Sequence, residues 1–222
     1  DTFHKRLKDQ AACLRATQEE VDALRALAET EGEPMLAAET LAALEDCVSE
    51  ALARVTKAAD AFGGMLGEDP AAVRDGVREI APRVIDGTSR RLSGDDGLTA
   101  LLTRALECAE SRALRRRLFV LRATLANTGF GMARVHVRLN ASQLHNALRG
   151  AVALTGAPDD PRYRVSYLDR MNALLDEVRP VSINFGSILS ERASATRLFM
   201  VVAQMLKHVD PVTPVRFLIA EC

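Results

Sequence analysis

Apolar residues recur at helical spacing through the first two thirds of the chain. Phe3, Leu7, Ala11 and Leu14 fall at steps of four and three, as one buried helix face would. Thr17-Gln18-Glu19-Glu20 has the form of a capping box, which predicts a second helix restarting there with Val21, Leu24 and Leu27. Gly32 and Pro34 punctuate the chain. The clearest stripe follows: Leu41, Leu44, Val48, Leu52, Val55, Ala59 and Phe62, closed by Gly63-Gly64. Asp69-Pro70 supplies an N-cap with proline in the first turn and opens a helix to about Ile85, with Pro82 expected to end or kink it. A further helix starts near Asp95 and Asp96 and carries Leu98, Leu102, Ala105 and Leu106. It either runs on or restarts at Ser111, through Leu118, Leu121 and Leu125 to Gly129.

The period changes at Gly131. In Ala133-Arg134-Val135-His136-Val137-Arg138-Leu139 the residues alternate, with Val135, Val137 and Leu139 on one side and Arg134, His136 and Arg138 on the other. That is a strand with one apolar face. A short helix follows around Ser142 to Leu148. Asp160-Pro161 repeats the cap-plus-proline device before a helix through Tyr167, Met171, Leu174 and Val178. Val181 to Phe185 reads as a short extended piece, and a long helix spans roughly Ser187 to His208. After Pro211 and Pro214, the run from Val215 reads as a second strand. The expected organisation is therefore a helical region over 1–130 and a mixed segment over 131–222, with strands near 133–139 and 215–221. The expected class is mainly α with a few strands; strand, helices, strand suits part of an α/β barrel or parallel sheet.

Composition narrows the function. The chain has 222 residues, 48% hydrophobic and 27% charged, an ordinary globular mix. Net charge is −1, which is no electrostatic footprint for nucleic acid, and with no Trp and two Tyr there is little for base stacking. No apolar run approaches the roughly 18 residues a membrane span needs, and no secretory signal is visible. Cys13, Cys47, Cys108 and Cys222 form no C-x-x-C pair and lie near no histidine at zinc spacing. They read as structural thiols in a reducing cytoplasm.

Few residues offer chemistry. Gly129-Phe130-Gly131-Met132-Ala133-Arg134 starts like a dinucleotide fingerprint, but it lacks the third glycine and precedes a strand, so it is set aside. Arg112, Arg115, Arg116, Arg117 and Arg122 form the densest basic cluster, expected to be a solvated helix face partly paired with Glu107 and Glu110. His4 and His208 read as surface residues. His136 and His145 flank the strand holding Arg138 and lack a third ligand for a metal; a hydrogen-bonded structural histidine is the expected role. Arg134, His136 and Arg138 on one strand face cannot all be core. They face solvent, a ligand or buried carboxylates, and a strand-borne arginine suits bidentate recognition of carboxylate or phosphate.

The stretch Gly129-Phe130-Gly131-Met132-Ala133-Arg134-Val135-His136-Val137-Arg138-Leu139-Asn140-Ala141-Ser142 resembles the phosphoenolpyruvate carboxylase family. In that family a helix leads through a glycine into a barrel strand ending Asp-Ile-Arg-Gln-Glu-Ser. Here the corresponding residues are His136-Val137-Arg138-Leu139-Asn140-Ala141: the arginine matches and the flanking Asp, Gln, Glu and Ser do not. Ile183-Asn184-Phe185-Gly186-Ser187, Glu191-Arg192-Ala193-Ser194-Ala195 and Phe217-Leu218-Ile219-Ala220-Glu221-Cys222 look like a divergent bacterial branch.

The resemblance covers about 115–222. It implies a fragment of a large helix-rich α/β barrel whose parent carboxylates phosphoenolpyruvate with bicarbonate to oxaloacetate and phosphate. It also implies a cytoplasmic homo-oligomer, with no nucleic acid or membrane partner. The implied cofactor is Mg2+ or Mn2+, with its carboxylate ligands beyond Cys222. The family's Thr-Ala-His-Pro-Thr-Glu motif has no counterpart here, so the fragment alone is expected to be inactive. Only Arg138 carries over, as a catalytic and substrate-binding arginine. The ends agree with a fragment: the chain opens on Asp1 already in a helical pattern and closes inside an apolar strand. The competing reading is a non-catalytic helical interaction module or a pseudoenzyme scaffold.

Overall fold

The computed structural model describes residues 2–85, 97–131, 135–152, 160–179, 182–209 and 215–220. Among these residues the protein is mainly helical, with two strands. It divides into two compact units, Asp1–Val135 with Gln204–Val215, and His136–Ala203 with Arg216–Cys222.

In the first unit α1 (Thr2–Thr30) packs along α2 (Ala42–Gly64). A π-helical turn, Leu36–Leu41, leads into α2. The core face of α1 is Leu7, Ala11, Leu14, Val21, Leu24 and Ala28, all nearly or fully buried. That stripe runs without a break through Thr17, which is itself buried. The expected restart at Thr17 is therefore wrong: α1 is one helix. The Thr17 hydroxyl donates to the Cys13 carbonyl one turn back at 2.9 Å instead of capping a new helix. Leu44, Val48, Val55, Ala59 and Phe62 of α2 are buried as their spacing predicts, and Leu41 of the π turn continues the stripe. Leu52 is only half-buried, and Ala51 takes the inner position. Each fully buried leucine contributes roughly 1.5–3 kcal/mol of transfer free energy.

The α1–α2 crossing also fixes His4, whose Nδ1 lies 2.8 Å from the Ala59 carbonyl oxygen, while Phe3 stacks on Phe62 at 5.7 Å. His4 and His208 are thus half-buried rather than surface residues.

Asp69 caps α3 (Pro70–Ile85), accepting the Ala71 N–H at 3.0 Å. Pro82 lies inside α3, which does not end there. The expected start at Asp95 and Asp96 falls outside the described residues; α4 is described over Leu98–Cys108. The chain then restarts as α5 (Arg112–Thr128), with the Ser111 hydroxyl accepting the Ala113 N–H at 3.2 Å. Glu33 holds this corner from the loop after α1: its carboxylate accepts the N–H groups of Glu110 at 3.1 Å and Ser111 at 2.6 Å.

The second unit holds a parallel pair of strands, β1 (Val135–Asn140) and β2 (Val215–Ala220). Helices α6 (Ala141–Val152), α7 (Pro161–Glu177), α8 (Phe185–Ser190) and α9 (Ser194–His208) lie between them in sequence. A parallel pairing requires such a crossover. The expected long helix from Ser187 is two helices. Asn184 caps the first, its side chain accepting the Ser187 N–H at 2.8 Å. The break at 191–193 is closed by the Glu191 carboxylate, which accepts the Ala193 N–H at 2.7 Å, and by Arg197 Nε, which donates to the Glu191 carbonyl at 2.9 Å. Phe185, expected in an extended piece, is the first residue of α8.

Candidate functional site

β1 realises the alternation of its sequence. Val137 and Leu139 are buried at 6% and 2% exposure, while His136 and Arg138 point to the exposed side. Arg134 lies outside the described residues. Among the described residues neither the His136 nor the Arg138 side chain has a hydrogen bond or ion pair, so no scaffold carboxylate there claims the Arg138 guanidinium. The strand ends because Asn140 turns its side chain onto the next helix: Oδ1 accepts the Ser142 N–H at 2.9 Å and the Ser142 hydroxyl at 2.8 Å. That is an N-cap for α6. Arg138 is therefore two residues before a strand-to-helix turn, with a rigid fork of donors free to take a planar or tetrahedral anion.

The two strand-flanking histidines are not brought into one polar contact. His145 Nδ1 lies 3.0 Å from the Tyr167 hydroxyl on α7, with the rings edge to face at 5.3 Å. This is the structural role expected for both histidines; His136, exposed on β1 with no side-chain partner among the described residues, does not take it. Among the described residues no group of three His, Cys, Asp or Glu side chains could hold a metal ion. The described residues therefore do not fit a divalent cation, and none is assigned a ligand role.

The glycine run before β1 serves geometry. Gly129, with φ 66°, caps α5, and its N–H donates to the Leu125 carbonyl at 2.9 Å. A left-handed residue is favoured there because glycine has no Cβ to clash. Phe130 is buried, and Gly131 lies against the guanidinium of Arg6, a buried cation of α1. Arg6 Nη1 donates to the Gly131 carbonyl at 3.2 Å. Sequence reasoning missed Arg6; its one signal was a cation in the first helix one step from the apolar stripe.

The arginine cluster divides. Arg117 forks onto Glu20 of α1, with Nε to Oε1 at 2.9 Å and Nη2 to Oε2 at 2.8 Å. The hydrogen bond to Glu20 raises the guanidinium pKa above its ordinary value; burial opposes the rise and the Glu20 charge adds to it. Arg122 Nη1 reaches the Thr103 hydroxyl at 3.5 Å. The expected partners Glu107 and Glu110 hold none of these arginines among the described residues. Arg112, Arg115 and Arg116 are exposed and line a shallow groove of about 430 Å³ with Leu106, Glu110 and Phe119.

Among the described residues Cys13, Cys47 and Cys108 form no disulfide. Cys13 is buried and Cys47 half-buried, but Cys108 is exposed at the end of α4 and is not the core residue its helix suggested. Cys222 lies outside the described residues. Among the described residues no helix is long and apolar enough to cross a membrane. Compared with known family models, curated proteins and solved structures, the chain has no match.

Proposed function

We propose that this chain is a segment of a phosphoenolpyruvate carboxylase-like enzyme, contributing one strand-borne arginine to the substrate site. The observation that carries the reading is Arg138, exposed near the end of a parallel strand and without a partner among the described residues. Residues at the carboxyl ends of barrel strands are where barrel enzymes keep their sites. The match of Arg138 to the family's strand-end arginine supports the same assignment, as does the helix, glycine turn, strand order around it.

In the proposed reaction bicarbonate attacks the phosphoryl group of phosphoenolpyruvate, giving carboxyphosphate and the enolate of pyruvate. Carboxyphosphate releases carbon dioxide and phosphate, and the enolate carbon attacks the carbon dioxide to form oxaloacetate. The substrate carries a carboxylate and a phosphate, and the intermediate an enolate oxygen. Two parallel N–H donors of Arg138 match any one of these anions. Donors fixed before charge develops stabilise the transition state without reorganising. When bound, a divalent cation held by groups of the parent polypeptide would add Lewis-acid stabilisation of the same anions. The reading carries with it a cytoplasmic, homo-oligomeric parent polypeptide that supplies the remaining groups.

The test is Arg138→Ala and Arg138→Lys in the intact polypeptide, with turnover and melting temperature measured on both. Arg138→Ala should lower turnover by about a hundredfold or more, the loss expected for one positioned anion contact. Arg138→Lys keeps the charge but loses the fork and should also impair turnover. Neither should shift the melting temperature appreciably, because the side chain is exposed. Full turnover with a collapsed melting temperature would make Arg138 a scaffold residue.

A further inference from the structure

The open face of the β1–β2 pair carries a second unclaimed arginine. Phe217 of β2 turns its ring onto Phe199 of α9, with the centroids 5.1 Å apart, so α9 lies on that side of β2. It is the side on which Val137 and Leu139 of β1 are buried, since the other side of β1 is open at His136 and Arg138. Successive residues of a strand point to opposite faces. Arg216 and Leu218 therefore share the open side with His136 and Arg138, and all four are exposed. All four belong to the second unit. The strands are parallel and six residues each. Paired end to end, they set Arg216 beside His136 and Leu218 beside Arg138. The Arg138 and Arg216 Cα atoms are then about 8 Å apart, two residues along and one strand across.

Like charges this close on one sheet face disfavour each other. Among the described residues neither guanidinium has a hydrogen bond or ion pair, so no carboxylate there offsets that cost. A bound anion would. From this arrangement we infer that Arg216 is a second substrate-binding residue, which with Arg138 seats a small molecule carrying two anionic groups one or two carbons apart. Each guanidinium offers one fork of parallel donors, and each fork suits one carboxylate or phosphate. Leu218 stands beside Arg138 on the same face as an apolar floor for the carbons that join the two anions. The choice of one phosphate and one carboxylate, over two carboxylates, rests on the reading of Arg138 proposed above.

Isothermal titration calorimetry on the intact polypeptide in magnesium-containing buffer reads the seat, with 2-phosphoglycolate, inorganic phosphate and malonate as probes. Phosphoglycolate should bind at least about tenfold more tightly than inorganic phosphate, because it fills both forks. Arg216→Ala should erase that preference. It should weaken phosphoglycolate about tenfold or more and inorganic phosphate by less than about threefold, since Arg138 still holds one anion. Arg216→Lys keeps the charge without the fork and should fall between. Neither variant should melt at a lower temperature than the native protein, because the side chain is exposed. Unchanged phosphoglycolate affinity in Arg216→Ala would overturn the inference. A collapsed melting temperature in that variant would also overturn it, making Arg216 a scaffold residue. So would a native protein that does not bind phosphoglycolate, and malonate bound more tightly than phosphoglycolate would overturn the choice of anions. The carboxylation reading fails separately: a protein that binds phosphoglycolate through both arginines and forms no oxaloacetate keeps the seat and loses the reaction.

Discussion

Gly131→Ala should destabilise the helical unit far more than its loop position suggests. A Cβ built on Gly131 would overlap Cζ and both Nη atoms of Arg6, so the guanidinium would have to retreat. Arg6 is only 7% exposed, and its Nη1 donates to the carbonyl of that same glycine. Retreat gives up a hydrogen bond to a charged donor, about 1.5–3 kcal/mol, and strains the surrounding close-packed core by about 1 kcal/mol more. The total is about 3 kcal/mol, a large share of an ordinary domain's stability. Urea unfolding followed by circular dichroism at 222 nm measures it. The same substitution in an Arg6→Ala background should cost less than about 1 kcal/mol, because the obstructing group is gone, so the two changes should be strongly coupled. An effect of under about 1 kcal/mol in the native background, or equal effects in both, would refute the close approach.

Leu44→Ala, at a fully buried position of α2, should lower stability by about 3 kcal/mol in the same assay. Arg117→Ala should cost no more than about 1 kcal/mol despite its forked geometry, since the Arg117 and Glu20 side chains are 40% and 33% exposed and solvent screens the pair. A loss above about 2 kcal/mol would mean that the pair is better shielded than its exposure indicates.

What the sequence made legible were features written within a few residues of each other. The stripe from Leu44 to Phe62 and the alternation around Arg138 both emerge with the predicted sides buried, because an amphipathic period states which face seeks the core. The caps at Asp69 and Ser111 were legible for the same reason. The Thr17 box misled because a local capping signature competes with a longer pattern, and the unbroken apolar stripe from Leu7 to Ala28 prevails. Contacts between distant segments left no trace. Arg6 meets Gly131 across 125 positions, and Gln10 Nε2 donates to the Val209 carbonyl across 199. The two strands pair with each other, and no local period encodes that choice. At the candidate site, the exposure of Arg138 followed from the strand period, whereas the commitment of His145 to Tyr167 required the packing of α6 against α7.

Carboxylation of phosphoenolpyruvate is the activity proposed for the polypeptide that carries this segment. Its most direct test supplies phosphoenolpyruvate and carbon-13 bicarbonate to the purified intact protein with a divalent cation and follows the label by NMR. Labelled oxaloacetate is expected, formed with one phosphate per turnover and lost in Arg138→Ala. Phosphoenolpyruvate left intact, or consumed without label entering a four-carbon product, would contradict it.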